Sequence, residues 1–372
     1  MDVVVVGAGM VGAACAYFCA RAGLTVTVVE RGSVAAGTTG AGEGNILVSD
    51  KELGPELDLA LLSARLWREL AEEHGTAFEY EPKGGLVVAA TDAELAALRG
   101  LATEQAAHGV TVEHVDPATV EPHIAAGLAG GVYYPQDAQV QPMLAAAHLL
   151  RLSAARVLTG TEVTGFLGRD RVTGVRTTAG DVPADAVVNA AGTWGGEIAA
   201  LAGAPVPILP RRGFVLVTEP LPVLVRHKVY AADYVADVAA DTAGLRTSPV
   251  IEGTKAGTIL IGASRERVGF DRTPSLPALR SLAAGAVRLF PVLADVAVLR
   301  AYTGFRPYCP DHLPVIGPDP RRPGLLHACG HEGAGIGLAP ATGALVAELL
   351  TGVAPSMAVD AFRPDRFVEV TA

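Results

Sequence analysis

Three glycines at positions 7, 9 and 12 separate an apolar run, Val3 to Val6, from a stretch of small residues that begins at Ala13. In Gly7-Ala8-Gly9-Met10-Val11-Gly12 the first glycine permits a tight turn. The second lets backbone amides approach a pyrophosphate, and the third lets a helix pack closely on a strand. The free N–H groups and partial positive charge at the start of such a helix hold phosphates. Glu30 closes the next apolar run, eighteen positions past Gly12, where a carboxylate accepts hydrogen bonds from a ribose diol and repels a 2′-phosphate. This chemistry is dinucleotide binding, and the motif alone leaves nicotinamide and flavin dinucleotides both open.

Positioning these groups takes a βαβ unit. Val3 to Val6 and Thr25 to Glu30 read as strands, with a helix over Ala13 to Arg21 between them. Farther on, helices are predicted over Glu56 to His74, with Leu59, Leu62, Leu66 and Leu70 on one face, and over Asp92 to His108, Met143 to Ser153 and Pro277 to Leu289. Tyr133 to Pro142 reads as a loop, and Leu86 to Ala90, Arg156 to Thr159 and Asp185 to Asn189 as strands. Between Gly213 and Gly262 the pattern is β-rich, notably Phe214 to Thr218 and Thr258 to Ile261. The opening logic returns at the end: strand Leu325 to Cys329, loop Gly330 to Gly337, helix Ala339 to Leu350.

Dinucleotide features therefore sit at the beginning, middle and end, with the β-rich part inserted. The expected fold is α/β: a Rossmann-like nucleotide domain assembled from residues 1–82, 138–212 and 301–372, with an inserted β-sheet substrate domain from 83–137 and 213–300. A chain of 372 residues suits two joined domains. Its net charge of −10 argues against nucleic acid or an anionic membrane as the main partner. Cys15, Cys19, Cys309 and Cys329 have no metal-type or redox spacing, so no metal is expected and a reduced, cytoplasmic setting fits. No signal peptide or membrane span is predicted.

Five ordered stretches decide between the dinucleotides: GAGMVGAACAY with VVERG, GTTGAGEGN, VVNAAGTWG, GFRPYCPDHLPVIG and GHEGAGIGLAPATG. Over nearly the whole chain they resemble the D-amino-acid oxidase superfamily, in particular its glycine oxidase and sarcosine oxidase-like branch. The resemblance implies FAD as the cofactor. It places Glu30 and Arg31 at the nucleotide, and Thr38, Thr39, Gly42, Glu43, Gly44 and Asn45 in a loop beside the flavin ring and phosphates. It further implies that Val163 meets the adenine, that Ala190, Ala191, Gly192 and Trp194 form a second clamp, and that the loop His331, Glu332, Gly333, Ala334, Gly335, Ile336, Gly337 faces the flavin's N1–C2=O edge. A helix N-terminus there stabilises charge that develops on reduction.

In the matching G-[LF]-R-P pattern, Arg306 takes the role of the arginine that grips the substrate carboxylate. A planar guanidinium holds two oxygens at once and so fixes the α-carbon over flavin N5. Gly44, Asn45 and Tyr308 complete the expected site, with Glu43 shaping it. Arg246 is a second candidate anion contact, set against a plain solvated arginine. Two departures stand out. Glu332-Gly333-Ala334 replaces an additional arginine that glycine oxidase-like chains carry, leaving a smaller, less cationic lip. Gly304 stands where monomeric sarcosine oxidases hold flavin through a cysteine, so the expected FAD is non-covalent and Cys309 is a packed thiol.

The implied activity is oxidation of the C–N bond of a small carboxylate-bearing amine: glycine, an N-substituted glycine, a D-amino acid or an imino acid. Oxygen is one electron acceptor; a partner protein, as in opine or hydroxyproline dehydrogenases, is the other. A flavin domain acting on modified tRNA is disfavoured by the acidity of the chain, and a non-catalytic FAD subunit by the retention of Arg306. A homo-oligomer is compatible with the sequence.

Overall fold

The computed structural model describes residues 1–232, 234 and 242–367. A six-stranded sheet takes its strands from across the chain, in the order Val315–Pro318, Leu325–Cys329, Ala186–Asn189, Asp2–Val6, Thr25–Val29, Arg156–Leu158. Asp2–Val6 pairs in parallel with Thr25–Val29 on one side and Ala186–Asn189 on the other. Asp2–Val6 and Ala186–Asn189 are near-continuous apolar runs buried almost throughout, as strands covered on both faces are, whereas Thr25–Val29 alternates threonine with valine. The helices Met10–Arg21 and Gly335–Thr351 cross on one face. Gly343 permits the crossing, since a Cβ there would lie 2.6 Å from the carbonyl of Ala14.

The second sheet has eight strands, in the order Val298–Tyr308, Leu209–Thr218, Ile259–Arg265, Arg246–Gly253, Lys228–Ala231, Gly85–Ala89, Gly130–Tyr134, Glu113–Val115. Alternation gives it two faces of different character. Phe214, Leu216, Val229, Ile251 and Ile261 pack with Leu282 and Ala286 of the helix Leu276–Leu289. Val87, Tyr230 and Val250 point the other way and join the core that contains the Met10–Arg21 helix. That second face also carries Arg211, Gly213, Lys228, Glu252 and Arg306, and it forms the wall of the site.

Four elements differ from the sequence reading. Leu209–Thr218 and Val298–Tyr308 pair along their full length, so each runs unbroken across the domain junctions drawn at 212/213 and 300/301. The stretch 133–142 is not all loop: Tyr133 and Tyr134 end a strand, and Ala138–Gln139 pairs with Asn45–Ile46. The last helix begins at Gly335, not Ala339. Residues 233 and 235–241 of the inserted region, within the stretch expected to line the substrate, lie outside the described residues.

Candidate active site

One continuous cleft runs from Glu30, Arg31, Glu162 and Val163, past Gly9, Thr39 and Gly192, to Asn45, Tyr234, Arg306 and Gly333. At its first end Gly7 adopts φ 108°, the left-handed region that glycine tolerates, and a Cβ there would sit 2.6 Å from Ala190 O. Glu30 braces the turn: its Oε2 accepts from Ala8 N at 2.9 Å and its Oε1 from Gly32 N at 2.7 Å. Met10 N donates to Thr39 Oγ1 at 2.9 Å, which ties the second glycine-rich loop to the first. The N–H groups of Gly9 and Val11 have no acceptor among the described residues, and both residues line the cleft. Unpaired donors at a helix start, beside a carboxylate that has lone pairs to spare for a diol, fit an adenine dinucleotide. Gly12 faces the carbonyl of Gly7, as helix-on-strand packing requires.

The second clamp is equally built. Thr38 Oγ1 and Thr193 Oγ1 both donate to Phe305 O, at 2.7 and 2.8 Å, which locks the 38–45 loop and the 190–194 turn onto the strand that carries Arg306. Trp194 lines the cleft between the Arg31 guanidinium, 4.3 Å from its ring centroid, and Phe270, stacked at 5.4 Å. Ala190, Ala191 and Gly192 line it too.

At the other end the helix Gly335–Thr351 points its N-terminus into the cleft, with Gly333, Gly335 and Ile336 lining it. Pro340 lies inside this helix and lacks an N–H, so the carbonyl of Ile336 has no helical donor. Two residues a turn apart on the helix Pro55–His74 supply the missing bonds. Trp67 Nε1 donates to Ile336 O at 3.2 Å and to Gly337 O at 3.1 Å. Ser63 Oγ donates to Gly337 O at 2.5 Å and accepts from Ala341 N at 3.3 Å. The early helix start therefore depends on a partner far away in sequence.

His331 holds the same loop. Thr342 Oγ1 donates to Leu338 O at 3.0 Å, so the His331 Nε2–H must be the donor in the 2.9 Å bond to Thr342 Oγ1. Burial depresses the imidazole to about 3, which keeps it neutral. Glu332, at φ 45°, also lines the cleft and stands 3.5 Å from Arg211 Nη1 and 3.2 Å from His312 Nδ1. Both residues orient the loop. Ala334 caps the helix and Gly337 packs against Asn45 O, at 3.3 Å from a Cβ; neither lines the cleft.

Arg306 is part-buried and lines the same end of the cleft. Its Nη1 donates to Ser264 O at 2.7 Å, its guanidinium covers Gly213, and its Nε would lie 3.3 Å from a Cβ on Gly333. Cross-strand pairing sets Arg211 opposite Arg306. Burial and the nearby Arg265 both disfavour its charge, yet a guanidinium does not deprotonate in proteins. An incoming anion relieves that cost.

Three residues expected in the substrate site do not line the cleft. Arg246 is exposed, with Nε donating to Thr242 Oγ1 at 2.8 Å, and it does not line the cleft. Its cross-strand partner Arg265 is the buried cation of that region, its guanidinium 5.0 Å from the Tyr234 ring centroid. Tyr308 backs the site without lining it, its ring lying between the guanidinium groups of Arg211 and Arg267 at 5.4 and 4.9 Å. Gly44 is also off the cleft and is needed because a Cβ would strike Val140 O.

The sequence reading missed a charged cluster behind the 42–45 loop. Lys228 and Glu252 face each other one step along the register that pairs Val229 with Ile251, with Nζ and Oε2 2.7 Å apart. Lys228 also donates to Asn45 Oδ1 and stands 3.5 Å from Glu43 Oε2. Burial opposes the ammonium, but Glu252 and Glu43 more than offset it and hold its pKa above the usual value.

Fold and cleft together define a flavoprotein oxidoreductase. Residues 2–349 match the DAO family of FAD dependent oxidoreductases, and the chain belongs to it. It is 33% identical over 368 residues to a glycine oxidase of Pseudomonas aeruginosa, covering 95% of each chain. The crystal structure of glycine oxidase from Geobacillus kaustophilus superposes with a TM-score of 0.88 at 29% identity over 99% of both chains. That of L-proline dehydrogenase from P. horikoshii gives 0.89 at 26% identity, over 98% of this chain and 97% of its own. The chain is thus an FAD-dependent amino acid or amine oxidoreductase of the glycine oxidase-like branch.

Proposed function

We propose that the enzyme oxidises the C–N bond of a small amine that bears a carboxylate: glycine, an N-substituted glycine, a D-amino acid or an imino acid. The observation that carries this reading is the part-buried Arg306 guanidinium lining the cleft, with Asn45, Gly42 and the Gly335–Thr351 helix start around the same space. An amine without a carboxylate forgoes the two-oxygen contact that this guanidinium offers and so binds more weakly. When bound, FAD supplies a hydride acceptor at N5. The chain supplies position: Arg306 fixes the carboxylate, and the helix N-terminus favours negative charge on the ring edge.

The imine that leaves hydrolyses in water, and oxygen takes the electrons to give hydrogen peroxide. Likeness to glycine oxidases supports oxygen as acceptor. Likeness to an L-proline dehydrogenase supports the second reading, transfer to a partner protein. FAD is held without a covalent bond: Gly304 has no thiol, and Cys309 is fully buried, with burial raising its pKa. The nucleotide segments 1–82, 138–212 and 301–372 bind it, and 83–137 with 213–300 face the substrate.

The test is an anaerobic screen of the holoenzyme, following loss of flavin absorbance with N-alkylglycines, D-amino acids, imino acids and amines that lack a carboxylate. Bleaching by one of the first three groups alone is expected, with peroxide formed on admitting air if oxygen is the acceptor. Bleaching by plain amines, or by none of the set, would overturn the reading.

A further inference from the structure

Glu43 lies at the ring end of the cleft, in the loop beside Asn45. Its Oε2 accepts from Asn45 Nδ2 at 3.1 Å and stands 3.5 Å from Lys228 Nζ. Its Oε1 is buried and has no hydrogen-bond partner among the described residues. Gly262 makes room for it, because a Cβ there would sit 2.5 Å from Oε1. A buried polar atom without a partner costs about 1–3 kcal/mol, and more when it is charged. That oxygen keeps its lone pairs for a donor bound in the cleft that Glu43 lines.

Arg306 occupies the neighbouring place on the same sheet face. Its guanidinium covers Gly213 on Leu209–Thr218, and Glu43 covers Gly262 on the adjacent strand Ile259–Arg265. One wall of the cleft thus presents a guanidinium and a carboxyl side by side, complementary to the carboxylate and the ammonium of one small amino acid. We propose that Glu43 is the amine-binding group of this enzyme: its Oε1 accepts a hydrogen bond from the substrate nitrogen and takes one of its protons before oxidation. The proposal rests on the reading of the substrate as a carboxylate-bearing amine.

The proton matters because the nitrogen lone pair must be free to form C=N as the α-hydride departs. An amino acid arrives as the ammonium, with that pair tied up in an N–H bond. Transfer breaks one N–H bond and forms one O–H bond on Glu43, turning ammonium and carboxylate into amine and carboxylic acid with no change in net charge. The C–H bond then gives its two electrons and the hydrogen to the flavin, and the nitrogen pair closes the C=N bond.

The surroundings suit a proton acceptor. Facing Glu43 are Lys228 from Lys228–Ala231, Glu252 from Arg246–Gly253, Tyr302 and Arg306 from Val298–Tyr308, and Asn45 from its own loop. Burial raises its pKa, with help from Glu252, against the opposing pull of Lys228, Arg306 and Asn45; the net direction is upward. A carboxyl moved toward neutrality holds a proton better than an ordinary one and so takes it more readily from an ammonium. Lys228 stays charged behind it and balances the carboxylate whenever Glu43 is ionised.

The experiment is stopped-flow flavin reduction in the anaerobic holoenzyme across pH, with the best substrate from the screen, for wild type, Glu43→Gln and Glu43→Asp. In wild type the second-order rate of reduction should rise with pH and level off once Glu43 is ionised. In Glu43→Gln it should fall roughly 100-fold or more at neutral pH. Its profile should instead climb about tenfold per pH unit up to the substrate's own amine pKa, as expected when only free amine reacts. Glu43→Asp should bring the levelling back. A second readout is methoxyacetate, which has the carboxylate but no amine, titrated by its effect on the flavin spectrum. Glu43→Gln should change its Kd by less than about twofold, far below the loss expected for a primary contact. Superimposable pH profiles for wild type and Glu43→Gln would overturn the proposal. So would an equal loss of methoxyacetate binding, which marks a merely structural role. A wild-type flavin that no carboxylate-bearing amine reduces would overturn the substrate reading and this inference together.

Discussion

Trp67 donates its indole N–H to the carbonyl of Ile336, 3.2 Å away, the acceptor that Pro340 leaves without a helical partner. The helix start that lines the cleft is thus held by a side chain 269 positions earlier in the chain. Trp67 is fully buried, so Trp67→Phe preserves most of the packing and removes the donor. Leaving a buried carbonyl short of a partner costs about 1–3 kcal/mol. The expected result is a Tm lower by several degrees and a weaker FAD complex, read by thermal unfolding and by flavin titration of the apoprotein. An unchanged FAD affinity would mean that this bond does not set the helix start.

Gly213 is predicted to be as important as the arginine above it. A Cβ at 213 would run into the Arg306 guanidinium and would lie 2.7 Å from Ser264 O. The guanidinium end moves more easily than the backbone, so Gly213→Ala should push Arg306 off its carbonyl anchor, with a small shift of the strand at Ser264. Loss of one charge-assisted carboxylate contact is worth about 1.5–3 kcal/mol, so KM should rise by roughly one to two orders of magnitude. Steady-state kinetics with the same flavin content as wild type checks this.

His331 gives the stability a specific pH dependence. Burial depresses its folded pKa to about 3, whereas an unfolded histidine titrates near 6.5. Below about pH 6.5 the unfolded chain gains a proton that the folded chain refuses, so stability is full above that pH and lost as pH falls toward 3. At pH 5 the loss amounts to about 2 kcal/mol. His331→Gln, which can still donate to Thr342, should flatten the fall in Tm between pH 7 and 5. A variant whose Tm falls as steeply as that of wild type would contradict the assignment.

The parts of this molecule that were legible in the sequence are those set by local pattern. The valine runs and the Gly7, Gly9 and Gly12 spacing defined the βαβ opening, because strand, turn and helix follow one another without interruption in the chain. Arg306 and the flavin loops were recognised through ordered family motifs. What stayed hidden depends on distant register. Lys228 looks like a single charge in an apolar strand until Arg246–Gly253 aligns Glu252 opposite it. Arg246 and Arg265 are cross-strand neighbours with opposite fates, one exposed and one buried, and no local signal distinguishes them. The stretch from Gly335 to Gly337 reads as loop because glycine disfavours helix, and the distant Ser63 and Trp67 are what anchor it as the helix start.

The most direct measurement is binding of an unreactive carboxylate to the oxidised holoenzyme, by perturbation of the flavin spectrum, in wild type, Arg306→Lys and Arg306→Ala. The account predicts saturable binding in wild type, a Kd raised roughly tenfold or more by the lysine, which cannot grip both oxygens, and by the alanine at least tenfold again. A Kd that stays the same in Arg306→Ala would contradict it.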